Sequence, residues 1–238
     1  MSKLFITAFA LIALLSSPVL AAPVCASGTL ASYISLGSSG CDLGVGTLSG
    51  FETLTPITGA LAIAPEEITI SPVNSGNMIG IDVMFNSTAM SGELRQALFG
   101  YMVMAPAITR SRISLAGTSG DGFATYIQNY CAGGMFSPGG VSGCMGDEGA
   151  LVVLNSGSDQ ATFGPVTQIS VVDDFTLDAF GAESVSGGMA SDRFTVAGGG
   201  EPIPEPQTYM LMSSALIAIA LRSRSRNRGA VRTTRRSE

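Results

Sequence analysis

The 238-residue sequence contains no histidine and no tryptophan. Without histidine, a Ser-His-Asp triad, a Cys-His pair and the usual histidine-ligated zinc hydrolase sites are excluded. The lack of tryptophan also removes the largest aromatic surface on which a protein can stack a sugar ring. We therefore expect a protein that is not an enzyme, with no catalytic residues, no cofactor and no metal site.

Charged residues are scarce, at 13% of the chain, and the two signs are segregated. Seven of the twelve basic residues lie in the last seventeen positions, so the middle of the chain is strongly acidic. Such a domain is a poor partner for phosphate backbones, and we expect no nucleic-acid binding. The acids indicate solubility, with cation binding or repulsion from acidic polymers as the alternative.

The N-terminus has the pattern of a secretory signal. Lys3 precedes an apolar run over residues 4–15. The helix-breaking segment Ser16-Ser17-Pro18 follows, and then the small residues Ala21 and Ala22. The run is too short for a membrane anchor and is followed by a good signal peptidase site. We expect residues 1–21 to be removed and the rest of the chain to be exported.

The C-terminus has three parts in a fixed order. A Gly- and Pro-rich linker over residues 198–206 contains Pro204, Glu205 and Pro206, and an uncharged segment over 209–221 follows. As a helix that segment is ~20 Å long, against a bilayer core of ~30 Å, so it would span only marginally. Arginines follow it and would hold the end in the cytoplasm, namely Arg222, Arg224, Arg226 and Arg228. The alternative is an ordinary C-terminal membrane anchor that is never cut.

This order of motif, short apolar helix and arginine cluster resembles the PEP-CTERM sorting domain. The resemblance covers the last ~35 residues, 207–238 being the sorting helix and basic tail. It implies recognition of Pro204, Glu205 and Pro206 by an exosortase, a transient anchor in the inner membrane, and release or transfer to the cell surface or the extracellular space. It also implies a Gram-negative host that makes exopolysaccharide. The alternation of Arg with Ser, and the extension to Glu238, depart from the family pattern.

Residues 22–197 read as one β domain. Ile79, Ile81, Val83 and Phe85 alternate with polar or small residues, as on a half-buried strand, and Ser111, Ile113 and Leu115 alternate with Arg110, Arg112 and Ser114. Similar runs lie at 62–71, 99–105, 151–155, 167–177 and 193–197, separated by Gly- and Ser-rich turns. The pattern predicts an all-β antiparallel sandwich without crossover helices, and a jelly roll is one arrangement that fits it.

Four cysteines follow the signal in a chain bound for an oxidising compartment, so we expect two disulfides. Three connectivities are possible. We favour Cys25–Cys41 and Cys131–Cys144, because each closes a local loop across a Gly-rich turn and would contribute ~3 kcal/mol in the chain-entropy model. The Cys-Ala-Ser-Gly-Thr-Leu segment and the two cysteine pairs resemble a group of PEP-CTERM proteins, and this resemblance implies architecture only.

Adjacent carboxylates occur at Glu66-Glu67, Asp147-Glu148 and Asp173-Asp174, but neighbours on a strand point to opposite faces and cannot act as a pair. Asp121 and the group Asp173, Asp174 and Asp178 allow a minority calcium hypothesis, although no Asp-x-Asp-x-Asp-Gly loop is present.

Two functions from different classes remain. The first is an exported matrix protein, processed by exosortase and associated with exopolysaccharide. The second is a carbohydrate- or calcium-binding module of the cell surface, and exposed tyrosines at Tyr33, Tyr101 or Tyr126 would carry its sugar contacts.

Overall fold

A computed structural model describes residues 22–198 of the chain. The predicted signal peptide, the Pro204-Glu205-Pro206 motif, the apolar segment and the basic tail lie outside the described residues. Between residues 22 and 198, no helix has the length and apolarity needed to cross a membrane.

The described residues form fourteen strands, one helix and two short 3-10 turns. Helix α1 spans Leu30–Ser35 and begins after Thr29, whose hydroxyl accepts the backbone N–H of Ser32 at 3.3 Å. The strands are β1 Gly28–Thr29, β2 Cys41–Asp42, β3 Thr47–Thr53, β4 Leu61–Ala62, β5 Ile68–Ser75, β6 Met78–Phe85, β7 Thr88–Met90, β8 Leu94–Ala116, β9 Ser119–Gly120, β10 Phe123–Ala132, β11 Asp147–Leu154, β12 Gly157–Asp178, β13 Ser184–Ser186 and β14 Met189–Val196.

One large sheet folds over to make two layers. The first layer has the order β2-β3-β8-β12-β10-β11, and the second has the order β12-β8-β14-β6-β5-β1. The long strands β8 and β12 belong to both layers, because their pairing shifts register between Thr162 and Gln168 and continues beyond. Such irregularities bend a strand pair. β7, β13 and β9 form a small separate sheet.

Contacts between inner side chains show that the two layers face each other. The rings of Phe85 on β6 and Phe175 on β12 stack with centroids 3.8 Å apart, and the Tyr101 hydroxyl of β8 reaches Asp192 of β14 at 2.6 Å. Large apolar side chains fill the space between the layers and are fully buried, including Ile70, Ile81 and Phe99. Their removal from water is the main stabilising contribution to this fold.

The predicted all-β antiparallel fold is confirmed, apart from one short parallel pairing of β4 with β8. Ile79, Ile81, Val83 and Phe85 are buried on one side of β6, as their alternation predicted. Ser111, Ile113 and Leu115 are likewise buried, while Arg110 and Arg112 are exposed.

Four details differ from the sequence prediction. The strands β3 and β10 carried no strand prediction. The run at 62–71 is interrupted by the 3-10 turn Pro65–Glu67, because a proline and two adjacent acids break the strand there. The runs at 99–105 and 111–115 are parts of the single strand β8. Residues 157–166, which carried no strand prediction, continue β12, and Asn155 has φ of 57° at the turn that enters it.

The four cysteines are paired as Cys25–Cys41 and Cys131–Cys144, the connectivity that the sequence favoured. Cys25 precedes β1 at the edge of the second layer, and Cys41 lies in β2 at the edge of the first. That disulfide therefore joins the two layers at one side of the sandwich. Cys131 and Cys144 instead close the loop that follows β10.

Candidate functional site

The inner faces of the two layers bring six polar side chains together in the middle of the apolar core. The first layer supplies side chains from β8, β10 and β12, and the second supplies side chains from β8 and β14. All six are buried, with an exposure of 3% or less. The members of this buried acid cluster are Tyr101, Ser111, Tyr126, Gln128, Asp173 and Asp192.

Asp192 is the acceptor at the centre of the cluster. The Tyr101 hydroxyl donates to its Oδ2 at 2.6 Å, and the Tyr126 hydroxyl lies 2.8 and 2.9 Å from its two oxygens. Burial raises the pKa of Asp192, while Asp173, the two tyrosines and the charge of Arg193 offset part of that rise. Two hydroxyl donors therefore hold a carboxylate inside a hydrophobic core.

Asp173 has a different environment. Its carboxyl group lies beside Asp192, Tyr126 and Gln128, whose side chains interact with it in the middle of the core. Burial, and next the charge of Asp192, raise the pKa of Asp173 well above its ordinary value. Two buried carboxylates side by side would also repel each other, so ionisation of both members of the Asp173–Asp192 pair is disfavoured.

Gln128 lies directly opposite Asp173 in the β10–β12 register. Its Oε1 accepts a hydrogen bond of 2.5 Å from the Ser111 hydroxyl, which comes from the other layer. Its amide group faces the Asp173 carboxyl group and lowers the pKa of that group through a hydrogen bond, which offsets part of the rise. Burial also raises the pKa of Tyr101 and Tyr126 well above the ordinary value, so both hydroxyls remain donors. The cluster is closed to solvent and cannot receive a sugar.

The outer face of the second layer has the opposite character. Three of the four arginines in residues 22–198 lie on it, although this region has 15 acidic and four basic residues, a net charge of −11. Arg112 lies directly opposite Arg193 in the β8–β14 register, and Arg110 lies two residues along β8. Small polar side chains surround them. We call this surface the arginine face: Arg110, Arg112, Arg193, Ser114, Ser158, Gln160, Ser191, Thr195 and Asp82.

The three arginines are not equally engaged. Arg193 is half-buried, donates to the Ile81 carbonyl at 2.7 Å, and pairs with Asp82 at 2.5 Å. Arg193 on β14 lies opposite Gly80 on β6. A Cβ atom at position 80 would collide with the backbone carbonyl of Asp192. Arg110 and Arg112 are exposed, and within residues 22–198 neither lies within ion-pair distance of a carboxylate. Arg112 donates a hydrogen bond to the Ser158 hydroxyl at 3.3 Å, so the charges of these two guanidinium groups are not neutralised by a carboxylate within residues 22–198.

The outer face of the first layer carries carboxylates and apolar side chains instead. Asp174 accepts hydrogen bonds from Gln96 at 2.8 Å and from Thr176 at 2.9 Å. Three of its apolar side chains are 47–63% exposed, namely Val152, Phe123 and Leu154. We call this surface the acidic face: Phe123, Thr125, Ile127, Val152, Leu154, Asp174, Thr176 and Asp178.

A cleft of about 170 Å³ lies beside Gln96, under the segment that links β3 to β5. Ligand pockets in proteins usually measure ~300 Å³ or more. The residues around it are mainly apolar, and none of them carries a charge: Thr53, Leu54, Pro56, Ala62, Ile63, Ala64, Pro65, Gln96 and Leu98. The cleft offers no chemistry that would select a ligand.

The tyrosines that the sequence suggested for sugar binding lie in surroundings other than those expected. Tyr33, Tyr101 and Tyr126 are buried rather than exposed, because each lies on an inward position of its element. The Tyr33 hydroxyl donates to the Ala26 carbonyl at 2.8 Å, and burial raises the pKa of Tyr33 to about 12. These three tyrosines cannot form a sugar-binding surface.

The residues of the calcium hypothesis do not converge. Asp173 points inward and Asp174 outward, as alternation requires, while the Asp121 carboxylate accepts the backbone N–H groups of Glu183 and Ser184 at 3.0 and 3.2 Å. Within the described part of the chain, no three His, Cys, Asp or Glu residues are grouped so that they could hold a metal ion.

Sequence reasoning missed both the acid cluster and the arginine face as units. The sequence did carry a signal for the acid cluster. Asp192 occupies the same alternate positions of β14 as Ala190, Phe194 and Val196, which are all buried. The arginine face needed the pairing of β8 with β14, which brings Arg193 beside Arg112 across 81 positions of sequence.

No family model matches the chain, and no curated protein matches it. Among solved structures, the CBM61 module in complex with β-1,4-galactotriose has a TM-score of 0.26 at 11% identity, covering 58% of this chain and 90% of that one. An RmlC-like cupin from Shewanella frigidimarina has a TM-score of 0.22 at 14% identity, covering 65% and 86%. The family 22 carbohydrate-binding module of Clostridium thermocellum Xyn10B has 0.22 at 10%, covering 67% and 91%. Similarity at this level supports no argument about a ligand.

Proposed function

We propose that this chain is an exported, disulfide-linked carbohydrate-binding module whose arginine face holds a carboxylate-bearing exopolysaccharide. The observation that carries the proposal is the concentration of three arginines on one sheet face of a domain whose net charge is −11. Random placement of four basic residues among so many acids would favour scattered ion pairs instead.

The pairing of Arg112 with Arg193 has an energetic cost. Like charges directly opposite each other on adjacent strands destabilise a sheet. Asp82 relieves this repulsion only for Arg193, with which it makes the ion pair. An anionic ligand would neutralise the remaining charge, and guanidinium groups recognise carboxylates through two parallel hydrogen bonds.

The geometry suits an extended polymer. Arg110 and Arg112 are two residues apart on one strand, a separation of about 6.6 Å, and adjacent strands are about 4.8 Å apart. Ser158, Gln160 and Ser191 surround the guanidinium groups with hydroxyl and amide groups that can bind sugar hydroxyls. Arg110, Arg112, Ser158 and Gln160 are exposed on this face, so a chain of sugars can lie across it without an end entering a pocket.

The test compares two substitutions that change the net charge by the same amount on opposite faces. Arg112→Gln removes a positive charge from the arginine face, and Thr125→Glu adds a negative charge to the acidic face. Affinity electrophoresis in gels containing alginate, a polyuronate, measures binding, and dextran serves as the neutral polymer. We expect several-fold weaker alginate binding for Arg112→Gln and little change for Thr125→Glu. Equal effects of the two substitutions, or retention by dextran, would refute the proposal.

We further propose that the C-terminal tail sorts the module to the place where it acts. Exosortase would recognise Pro204, Glu205 and Pro206 while residues 209–221 hold the chain in the inner membrane, and Arg222 to Arg228 would remain in the cytoplasm. This part rests on the resemblance of the tail and on the two disulfides, which suit an oxidising compartment.

Mass spectrometry of the mature protein, with and without the exosortase gene, tests the sorting proposal. A chain that begins near Ala22 and ends near Pro204 only when the enzyme is present would support it. Retention of the tail to Glu238 in both strains would show instead that the chain is a membrane-anchored protein of the envelope.

A further inference from the structure

The outer side of the first layer carries more acid than the two aspartates of the acidic face. Glu52 on β3 is exposed, and its side chain lies against the outer side of β8. Glu148 on β11 is exposed on the same side of its strand as Val152. Together with Asp174 and Asp178, these residues place four carboxylates on one outer side of the sandwich.

No arginine of residues 22–198 forms an ion pair with these four carboxylates, because the two ion pairs of this region involve Glu67 and Asp82. Asp174 is held by neutral groups instead, the Gln96 amide at 2.8 Å and the Thr176 hydroxyl at 2.9 Å. These hydrogen bonds fix the position of the carboxylate and leave its charge without a counter-charge in the described part of the chain. A cation supplied by a partner would complete this surface.

The arginine face offers the complementary surface on the opposite side of the sandwich. Its three arginines outnumber its single carboxylate, Asp82, which pairs with Arg193. Met84 and Met189 lie directly opposite each other beside it and are 48% and 42% exposed. The acidic face likewise has exposed apolar side chains next to its carboxylates. Protein interfaces combine such apolar side chains, methionine among them, with arginines and complementary charges.

We propose that the acidic face of one molecule docks on the arginine face of a second copy. Arg110 and Arg112 of one copy pair with carboxylates of the other, Asp174 and Glu52 among them, and the apolar side chains around both sets of charges are covered together. A contact of either face with itself would bring like charges together. The charges therefore favour a heterologous contact over a two-fold one.

A heterologous contact between opposite sides of the domain does not stop at a dimer. A molecule that has docked through one face still presents the other, so further copies can add in a row. The net charge of −11 opposes this association, which makes it dependent on protein concentration. The inference goes beyond the proposed polysaccharide binding and does not depend on it, although a polyuronate would compete with the second copy for the arginine face.

Sedimentation of the mature protein measures the association. We expect the weight-average mass to rise past that of a dimer as the protein concentration increases, and to return to that of the monomer at high sodium chloride concentration. Arg110→Gln with Arg112→Gln removes one side of the contact, and Asp174→Asn with Glu52→Gln removes the other. Each of these two double variants should remain monomeric.

A matched control removes two exposed carboxylates that lie in turns outside both faces. Glu66→Gln with Glu183→Gln changes the net charge by the same amount as the acidic-face variant, and it should associate at least as strongly as the wild type. Monomeric behaviour of this control would show that the loss of association in the acidic-face variant does not depend on the docking face, and would overturn the proposal.

Mixing the two face variants tests the head-to-tail geometry. The arginine-face variant keeps its acidic face and the acidic-face variant keeps its arginine face, so an equimolar mixture should form dimers that grow no further. A wild-type protein that stays monomeric or stops at a dimer, or a mixture that stays monomeric, would also overturn the proposal. Alginate retention of the monomeric acidic-face variant tests the polysaccharide proposal separately, because its arginine face is intact.

Discussion

The two layers of this sandwich share the strands β8 and β12 but present opposite outer surfaces. The second layer carries three arginines on its outside, and the first carries Asp174, Asp178 and exposed apolar side chains. Toward the inside each layer contributes one buried acid, Asp173 from the first and Asp192 from the second, and the first layer also supplies the tyrosine hydroxyls that donate to Asp192. One pair of strands can therefore contribute to two different outer surfaces, since alternation and a bend assign each residue to a layer and a side.

The largest expected effect comes from breaking the contact between the two layers. Asp192→Ala removes the acceptor of two buried tyrosine hydroxyls and leaves them without a partner. We expect the free energy of unfolding to fall by about 2–5 kcal/mol, because each buried hydroxyl left unsatisfied costs about 1–3 kcal/mol. Urea denaturation measures this change. Asp82→Ala on the outer face is the control and should cost about 1 kcal/mol or less, because its ion pair with Arg193 is partly exposed.

A second way to loosen the layers is to remove the disulfide that joins them at one side. Cys25→Ser with Cys41→Ser opens a loop with a sequence separation of 16, and we expect a loss of ~3 kcal/mol from chain entropy. The melting temperature measures the loss. An unchanged melting temperature would mean that β1 and β2 are held at the two edges without the covalent link.

The contrast between the outer faces is tested by removing the free charges of one of them. Arg110→Gln with Arg112→Gln should weaken alginate binding at least tenfold, which corresponds to ~1.4 kcal/mol. The remaining binding should depend less on salt, because fewer exposed charges are screened. Titrations at low and high sodium chloride concentration measure both effects. A double variant that keeps the wild-type salt dependence would place the binding surface elsewhere.

The smallest expected effect concerns pH. The folded-state pKa values of Asp173 and Asp192 are raised above the unfolded value of about 3.9, so the folded state holds more protons above that pH. Their contribution to stability is therefore complete in acid and is lost as pH rises through the raised values. Asp173→Asn should flatten the decline of the urea midpoint from about pH 4 to about pH 7.

The exposed Asp178→Asn serves as the control for this slope. If Asp178→Asn flattens the decline as much as Asp173→Asn does, the pH dependence does not arise from the buried pair.

The sequence predicted the parts of this fold that depend on local pattern. Alternation placed Ile79 to Phe85 and Ser111 to Leu115 on buried faces, and the short loops between cysteines favoured the pairing that the structure has. The same rule, applied to Asp192 between Ala190 and Phe194, would have predicted a buried carboxylate.

The remaining features depend on long-range pairing, which one sequence does not reveal. Arg112 and Arg193 become neighbours only because β14 pairs with β8, and Tyr101 and Tyr126 reach one carboxylate only because the sheet folds over. The prediction that these tyrosines are exposed was wrong for the same reason. An aromatic residue with a polar tip satisfies its hydroxyl equally well in water or on a buried acceptor, so its residue type does not decide its exposure.

The most direct test of the arginine face is hydrogen exchange of the backbone amides in the presence of alginate. If alginate binds the arginine face, protection of the amides from exchange increases in β14, in β8 from Ile108 to Ala116 and in the adjoining part of β12. The amides of β10 and β11 should exchange as in the free protein. Protection that appears over β10 and β11 and leaves β14 unchanged would contradict the assignment of polysaccharide binding to this face.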